Sequence, residues 1–324
     1  SLGAGGMNAT GNLQTVNGNL TLVSTGTGSF RLSSGAGYAL NVGGNIDVQG
    51  SSELDFSSGG GTSTVVVTGN VTQSGTSLIR KTSTATITFT INGNFVQSAG
   101  TFDVNNGSSG GAMTVNFKGD VTMNGTVQRS NGGTYTFNFV KPTGTQTLSQ
   151  GTPITTAQAI IWNVGDGTTT NTLQFLTNVN VGTSGTSDVS VLNNATLDFQ
   201  DKILNGNNSD FTTGATATLK MGSADGITSG NTASGNVQTG TSSGTRTFAS
   251  TATYIYTGTV NQVTGNGLPN PLTGTGKLTI SNTGTSGNNT VTLTTNNSTT
   301  PQLNITSGFY AIGTGQTFNI STGG

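Results

Sequence analysis

Apolar side chains fall at every second position along short stretches of this chain. Ile87, Phe89 and Ile91 alternate with Thr88 and Thr90; Tyr135, Phe137 and Phe139 alternate with Thr136 and Asn138; Val115 and Phe117 flank Asn116, and Val291 and Leu293 flank Thr292. A period of two is the signature of a strand with one buried face. Thr, Val, Ile and Phe, which dominate these stretches, fit a pleated surface better than a helix. Blocks of helix formers such as Ala, Glu, Lys and Leu are absent, so an all-β fold is expected.

The strands repeat. A Gly-Asn or Gly-Asp pair precedes an apolar position at Gly18-Asn19, Gly44-Asn45, Gly69-Asn70, Gly93-Asn94 and Gly119-Asp120, the second residues lying 26, 25, 24 and 26 apart. Gly50, Gly75, Gly100 and Gly125 follow at a constant interval of 25, with Leu54, Leu78, Phe102 and Val127 shortly behind. A further strand closes each unit at Val65–Val67, Phe89–Ile91, Val115–Phe117 and Phe137–Phe139. Three strands in about 25 residues are too few for a propeller blade of about 40 residues. They match one coil of a parallel β-helix, or β-solenoid, with each strand stacked on its counterpart in the next coil. Crossover handedness favours a right-handed coil. Gly and Asn recur at the turns because both tolerate positive φ, and the Asn19, Asn45, Asn70 and Asn94 column is expected to stack its amides. Thr, Ser, Asn and Gln should face outward.

Residues 1–140 hold the regular repeats. From 141 to 324 the phase loosens and the coils are expected to vary in length, with a segment break near 140–155. Coiled throughout, 324 residues would make roughly 13 turns and, at about 4.8 Å per stacked strand, a rod about 60 Å long.

Composition narrows the function. Only 6% of residues are charged, the net charge is −1, and Cys and His are absent. Disulfides, thiolate metal sites, Cys nucleophiles and His bases are thereby excluded. The basic footprint of a nucleic-acid surface is missing. No apolar run approaches the ~20 residues of a membrane helix, so membrane insertion is not expected, and no signal peptide is seen. The chain opens on Ser1-Leu2, and both ends are expected to be cut from a longer array.

The stretches Asn41–Ile46 (NVGGNI), Thr90–Phe102 (TINGNFVQSAGTF), Asn163–Leu173 and Ala252–Pro269 resemble the β-strand-repeat surface proteins of Bacteroidetes-type bacteria. The resemblance implies a long secreted adhesin or filament protein exported by type IX secretion. No catalytic residues carry over, because that family's pattern contains none.

Candidate chemistry is sparse. Asp47, Glu53, Asp55 and Asp103 could line an acidic groove of the carbohydrate-active kind, and Arg80, Lys81 and Arg129 could line a basic face. The calcium-binding nonapeptide is absent, and Asp166-Gly167 and Asp225-Gly226 read as turns. Thr84, Thr86, Thr88 and Thr90 alternate on one strand, but no threonine column is expected to recur coil after coil. No catalytic, cofactor or metal residue is expected, and the chain is not expected to be an enzyme. The expected role is the shaft of an extracellular adhesin or filament on the cell surface, associating end to end with itself. The alternatives are a glycan-binding adhesin tip or carbohydrate-active β-helix, for which Trp162, Tyr254, Tyr256 and Tyr310 should converge outside the core, and an ice-binding solenoid. Surface glycans or other cells are the expected outside partners.

Overall fold

A computed structural model of the chain describes residues 6–35, 37–107, 110–152, 154, 159–182, 187–230, 232–295, 299–300 and 302–320. The fold is the expected β-solenoid: no helix, parallel sheets, three strands per coil and roughly 25 residues per turn. The chain forms two compact units, one of Ser1–Lys141, Gln146–Trp162 and Gly182–Gly185, the other of Pro142–Thr145, Asn163–Val181 and Thr186–Gly324.

In the first unit the chain visits three sheets in turn. The first sheet stacks Met7–Asn8, Phe30–Arg31, Glu53–Asp55, Leu78–Arg80, Thr101–Asp103 and Thr126–Gln128. The second stacks Thr15–Val16, Ala39–Val42, Thr62–Val67, Thr86–Ile91, Ala112–Phe117 and Thr134–Phe139. The third stacks Leu20–Leu22, Ile46–Val48, Val71–Gln73, Phe95–Gln97, Val121–Met123 and Thr145–Gln150. The period-two phase decides which side chain enters the core. In the second sheet Val65, Phe89, Val115 and Phe137 share one buried column, and Val67, Ile91, Phe117 and Phe139 the next. The buried column of the first sheet is Phe30, Leu54, Ile79, Phe102 and Val127; Ile79, not Leu78, occupies it, and Leu78 pairs instead with Glu53 and Thr101. Phenylalanines from different sheets meet along the axis. Phe117 lies 5.4 Å from Phe95, 5.4 Å from Phe137 and 5.5 Å from Phe139, while Trp162 lies 5.4 Å from Phe139. Such spacing is that of favourable aromatic pairs.

The Gly-Asn column exists, for a different reason than backbone handedness. The only described non-glycine residues with positive φ are Thr10, Asn194 and Gln200, so Asn45, Asn70 and Asn94 are not in the left-handed region. Each asparagine instead uses its side-chain oxygen to accept the backbone N–H one coil on: Asn45 N–H to Asn19 at 2.9 Å, Asn70 to Asn45 at 2.7 Å, Asn94 to Asn70 at 2.8 Å and Asp120 to Asn94 at 2.8 Å. From the second coil on, at Gly44, Gly69, Gly93 and Gly119, the preceding glycine is required by proximity. A Cβ on Gly69 would meet Gly44 O at 2.8 Å and the Asn45 side-chain oxygen, and Gly69 N–H bonds Gly44 O at 3.0 Å.

Glutamine also departs from expectation. Val48, Gln73, Gln97, Met123 and Gln150 form one column of the third sheet, and Gln73 and Gln97 are buried within it. Gln73 Nε2 donates to Ser77 O (3.0 Å) and Thr101 O (2.7 Å), and Gln97 Nε2 to Thr126 O (3.0 Å), clamping one coil to the next at the corner. A buried amide is acceptable where it satisfies carbonyls that the turn leaves unpaired.

In the second unit one sheet carries Thr172, Thr196, Thr218 and Thr253 in an outward column and Leu173, Leu197, Leu219 and Tyr254 in an inward one. Leu278 and Leu303 extend the inward column. Two further three-stranded sheets close its coils: Val179–Asn180, Leu204–Gly206 and Val237–Thr239, and then Gln262–Val263, Thr290–Leu293 and Phe309–Ile312. Coils vary in length, as Leu219 pairs with Tyr254 across 35 residues. The longer coils leave about 11 turns in the chain.

Candidate functional site

The charged residues singled out from the sequence concentrate on the outward side of the first sheet, where they alternate in sign. Arg31, Asp55, Arg80, Asp103 and Gln128 occupy one register column. Arg31 Nε contacts Asp55 Oδ2 at 3.1 Å, and Arg80 contacts Glu53 at 2.5 Å. Asp55 also accepts Thr82 Oγ1 at 2.8 Å and Ser57 N–H at 3.1 Å. Asp103 accepts Gln128 Nε2 at 2.7 Å, Ser130 Oγ at 2.6 Å and Asn105 N–H at 3.0 Å. Both aspartates are buried. A cation lies between the two carboxylates, and each accepts several donors, so they do not line an acidic groove. Two carboxyl groups facing one bond, the arrangement that glycoside hydrolysis needs, are not brought together in this column. Asp47 lies on the third sheet and accepts from Gln49 and Thr72.

The basic face is likewise not assembled. Two coils on from Arg80 the column holds Gln128, and Arg129 turns inward. Its guanidinium sits 4.7 Å from the Tyr135 ring and donates to Asn131 O at 2.9 Å, Gly133 O at 2.7 Å and Ala159 O. Lys81 is fully buried 5.6 Å from the same ring and donates to Ser83 O. Burial pushes the Lys81 ammonium down to about 8, and the same cause raises the Tyr135 hydroxyl to about 12. The signal was present in the sequence. Lys81 stands two places after Ile79 and Arg129 two after Val127, which is the inward phase.

Asp166-Gly167 is a turn, with the Asp166 carboxylate accepting Thr168 N–H at 2.8 Å and Thr169 N–H at 2.7 Å. Those bonds hold its carboxyl down near 2. Asp225-Gly226 is a turn as well, Gly226 having φ +62°. Among the described residues no group of three or more acidic side chains could hold a metal ion.

The aromatic test is decided against an outer platform. Trp162, Tyr254 and Tyr256 are core residues; the hydroxyl of Tyr254 donates to Ala249 O and that of Tyr256 to Thr264 O, each at 2.7 Å. Tyr310 is half-buried against Phe318, 5.2 Å away.

Threonine columns do recur, contrary to expectation. Thr64, Thr88, Thr114 and Thr136 share one outward column of the second sheet, and Thr62, Thr86, Ala112 and Thr134 the one beside it. Unequal coil lengths hide this alignment in the sequence, where the intervals are 24, 26 and 22. Comparison with protein-family models, with curated proteins and with solved structures finds no match to this chain.

Proposed function

We propose that this chain is a non-catalytic structural segment, a stack of coils forming the shaft of an extracellular adhesin or filament and associating end to end with further coils of its own kind. The observation that carries the reading is the contrast between inner and outer coils. Within each unit the inward columns are buried, whereas Ile305 and Ile312, in register with the buried Ile280 and Leu293, are 54% and 53% exposed, and Met7, in register with the buried Phe30, is 47% exposed. These three positions continue core columns, and among the described residues no further strand covers them. A parallel strand edge with unpaired backbone groups beside uncovered apolar side chains is a template for another strand, and the occupant whose register and column spacing match is another coil of this repeat. Extracellular placement is supported by the resemblance to surface repeats.

Sedimentation velocity of the purified chain over a concentration series, with electron microscopy, tests the reading. Concentration-dependent end-to-end oligomers that Ile305→Asp with Ile312→Asp abolishes are expected. A monomer at every concentration overturns it.

A second reading rests on the aligned threonines. An outward, uncharged, regularly spaced array of hydroxyl and methyl groups can order water, and that array favours ice binding as the second reading. Thermal hysteresis of the purified chain decides it.

A further inference from the structure

The second unit carries an open cleft of about 510 Å³ that none of the sequence motifs indicated. Its apolar wall is the half-buried Phe248 with Pro269. Phe248 is braced by Phe211, 5.6 Å behind it, and by Gly267, where a Cβ would come within 3.0 Å of the ring edge. The ring is therefore held in one orientation by residues that do not themselves need a ligand.

The polar lining is unspent in three places. Asn266 uses its side-chain oxygen to accept Ser229 N–H at 2.9 Å, which leaves its amide NH₂ as a donor without a partner among the described residues. The Thr295 hydroxyl is buried at the cleft with no hydrogen-bond partner. Arg246 is the cleft's cation. Its Nε donates to Thr239 O (2.7 Å), its Nη1 to Thr228 O (3.0 Å) and Thr228 Oγ1 (2.7 Å), and its Nη2 to Thr232 O (2.8 Å). Four of the five guanidinium N–H groups are thus fixed, and one Nη2 N–H is left. No carboxylate pairs with Arg246 among the described residues. The five ion pairs among the described residues are all made by other arginines and lysines: Arg31, Arg80, Lys141, Lys202 and Lys220. A charge fixed by neutral carbonyls and left without a counter-ion attracts an anion strongly where water is partly excluded.

We propose that this cleft is a binding site for an acidic saccharide, a sugar ring bearing a carboxylate or sulfate. The anionic group faces Arg246, the C–H face of the ring lies on Phe248, and neighbouring hydroxyls meet the Asn266 amide and the Thr295 hydroxyl. The size falls within the 300–1,000 Å³ range of small-ligand sites. The lining holds no carboxylate, so the site binds without cleaving. This inference is independent of coil stacking, because a monomeric chain would bind as well as an oligomer.

The test is titration calorimetry of the full chain with oligosaccharides of uronate, sulfated-galactan and neutral-glucan type, with inorganic sulfate as a control. Saturable binding of a uronate or sulfated probe is expected, weakened by added salt. Phe248→Leu and Ser229→Tyr, the second filling the cleft from an exposed position, should each reduce affinity about tenfold or more. Ser229→Tyr should leave thermal unfolding unchanged, so it decides the matter if Phe248→Leu destabilises the fold. No binding by any acidic probe, equal or better binding of the neutral probe, binding unaffected by Ser229→Tyr, or full competition by sulfate alone would each overturn the proposal.

Discussion

The side-chain oxygen of Asn70 accepts the backbone N–H of Asn94, one coil on, at 2.8 Å. The same bond recurs along the column from Asn19 to Asp120, so a surface asparagine here does the work of a backbone carbonyl between turns. Asn70→Ala removes the acceptor and should cost about 0.5–1.5 kcal/mol in urea unfolding. Asn70→Asp keeps an acceptor, as Asp120 does for Thr147 N–H at 2.9 Å, and should cost less. Equal losses for the two variants would show that the bond contributes nothing.

The glycine column gives an internal control. Gly69→Ala forces a Cβ against the Gly44 carbonyl and should destabilise by about 1–3 kcal/mol. Gly18 begins the same column with open space around its Cβ direction and no positive φ, so Gly18→Ala should stay within about 0.5 kcal/mol of the parent. Thermal unfolding of the pair checks the ranking.

Phe117 touches three other rings across the core of the first unit. Phe117→Ala should cost about 3–5 kcal/mol, read by circular dichroism during urea unfolding. Loss of less than about 1 kcal/mol would mean that the aromatic stack is not the stabilising axis of that unit.

Alkaline pH should first stabilise and then destabilise the fold. The Lys81 ammonium lies at about 8 when folded, against 10.5 ordinarily, so between those values the unfolded chain binds the extra proton and stability rises with pH. All five tyrosines are pushed above their ordinary 10.0, chiefly by burial. Above about pH 10 the folded chain therefore holds more protons, and stability falls. Urea midpoints from pH 7 to 12 should pass through a maximum between about 9 and 10. Lys81→Met should abolish the rising limb and leave the falling one.

Much of the fold was legible because a solenoid writes its geometry at fixed intervals. The period of two marked the core columns, and the Gly-Asn pairs marked the turn. What escaped was the meaning of particular residues. Asn70 read as a turn former, while its work is done by an oxygen whose partner is 24 residues away. Gln73 and Gln97 read as surface residues because their polarity outweighed their inward phase. Asp55 and Asp103 were candidates for one acidic groove two coils apart, and only the register shows Arg80 standing between them. The cleft beside Phe248 was invisible, since Ser229, Arg246, Asn266 and Thr295 meet across coils of unequal length.

Those unequal lengths have a consequence for how such a chain can change. Leu219 and Tyr254 remain partners although 35 residues separate them, while Leu197 and Leu219 are partners across 22. The ladder keeps time only at the strands, and the segments between can lengthen without shifting any later partner out of step. Insertions at such bends are therefore cheap, and new recognition loops can be added one bend at a time while the scaffold beneath them stays as it was.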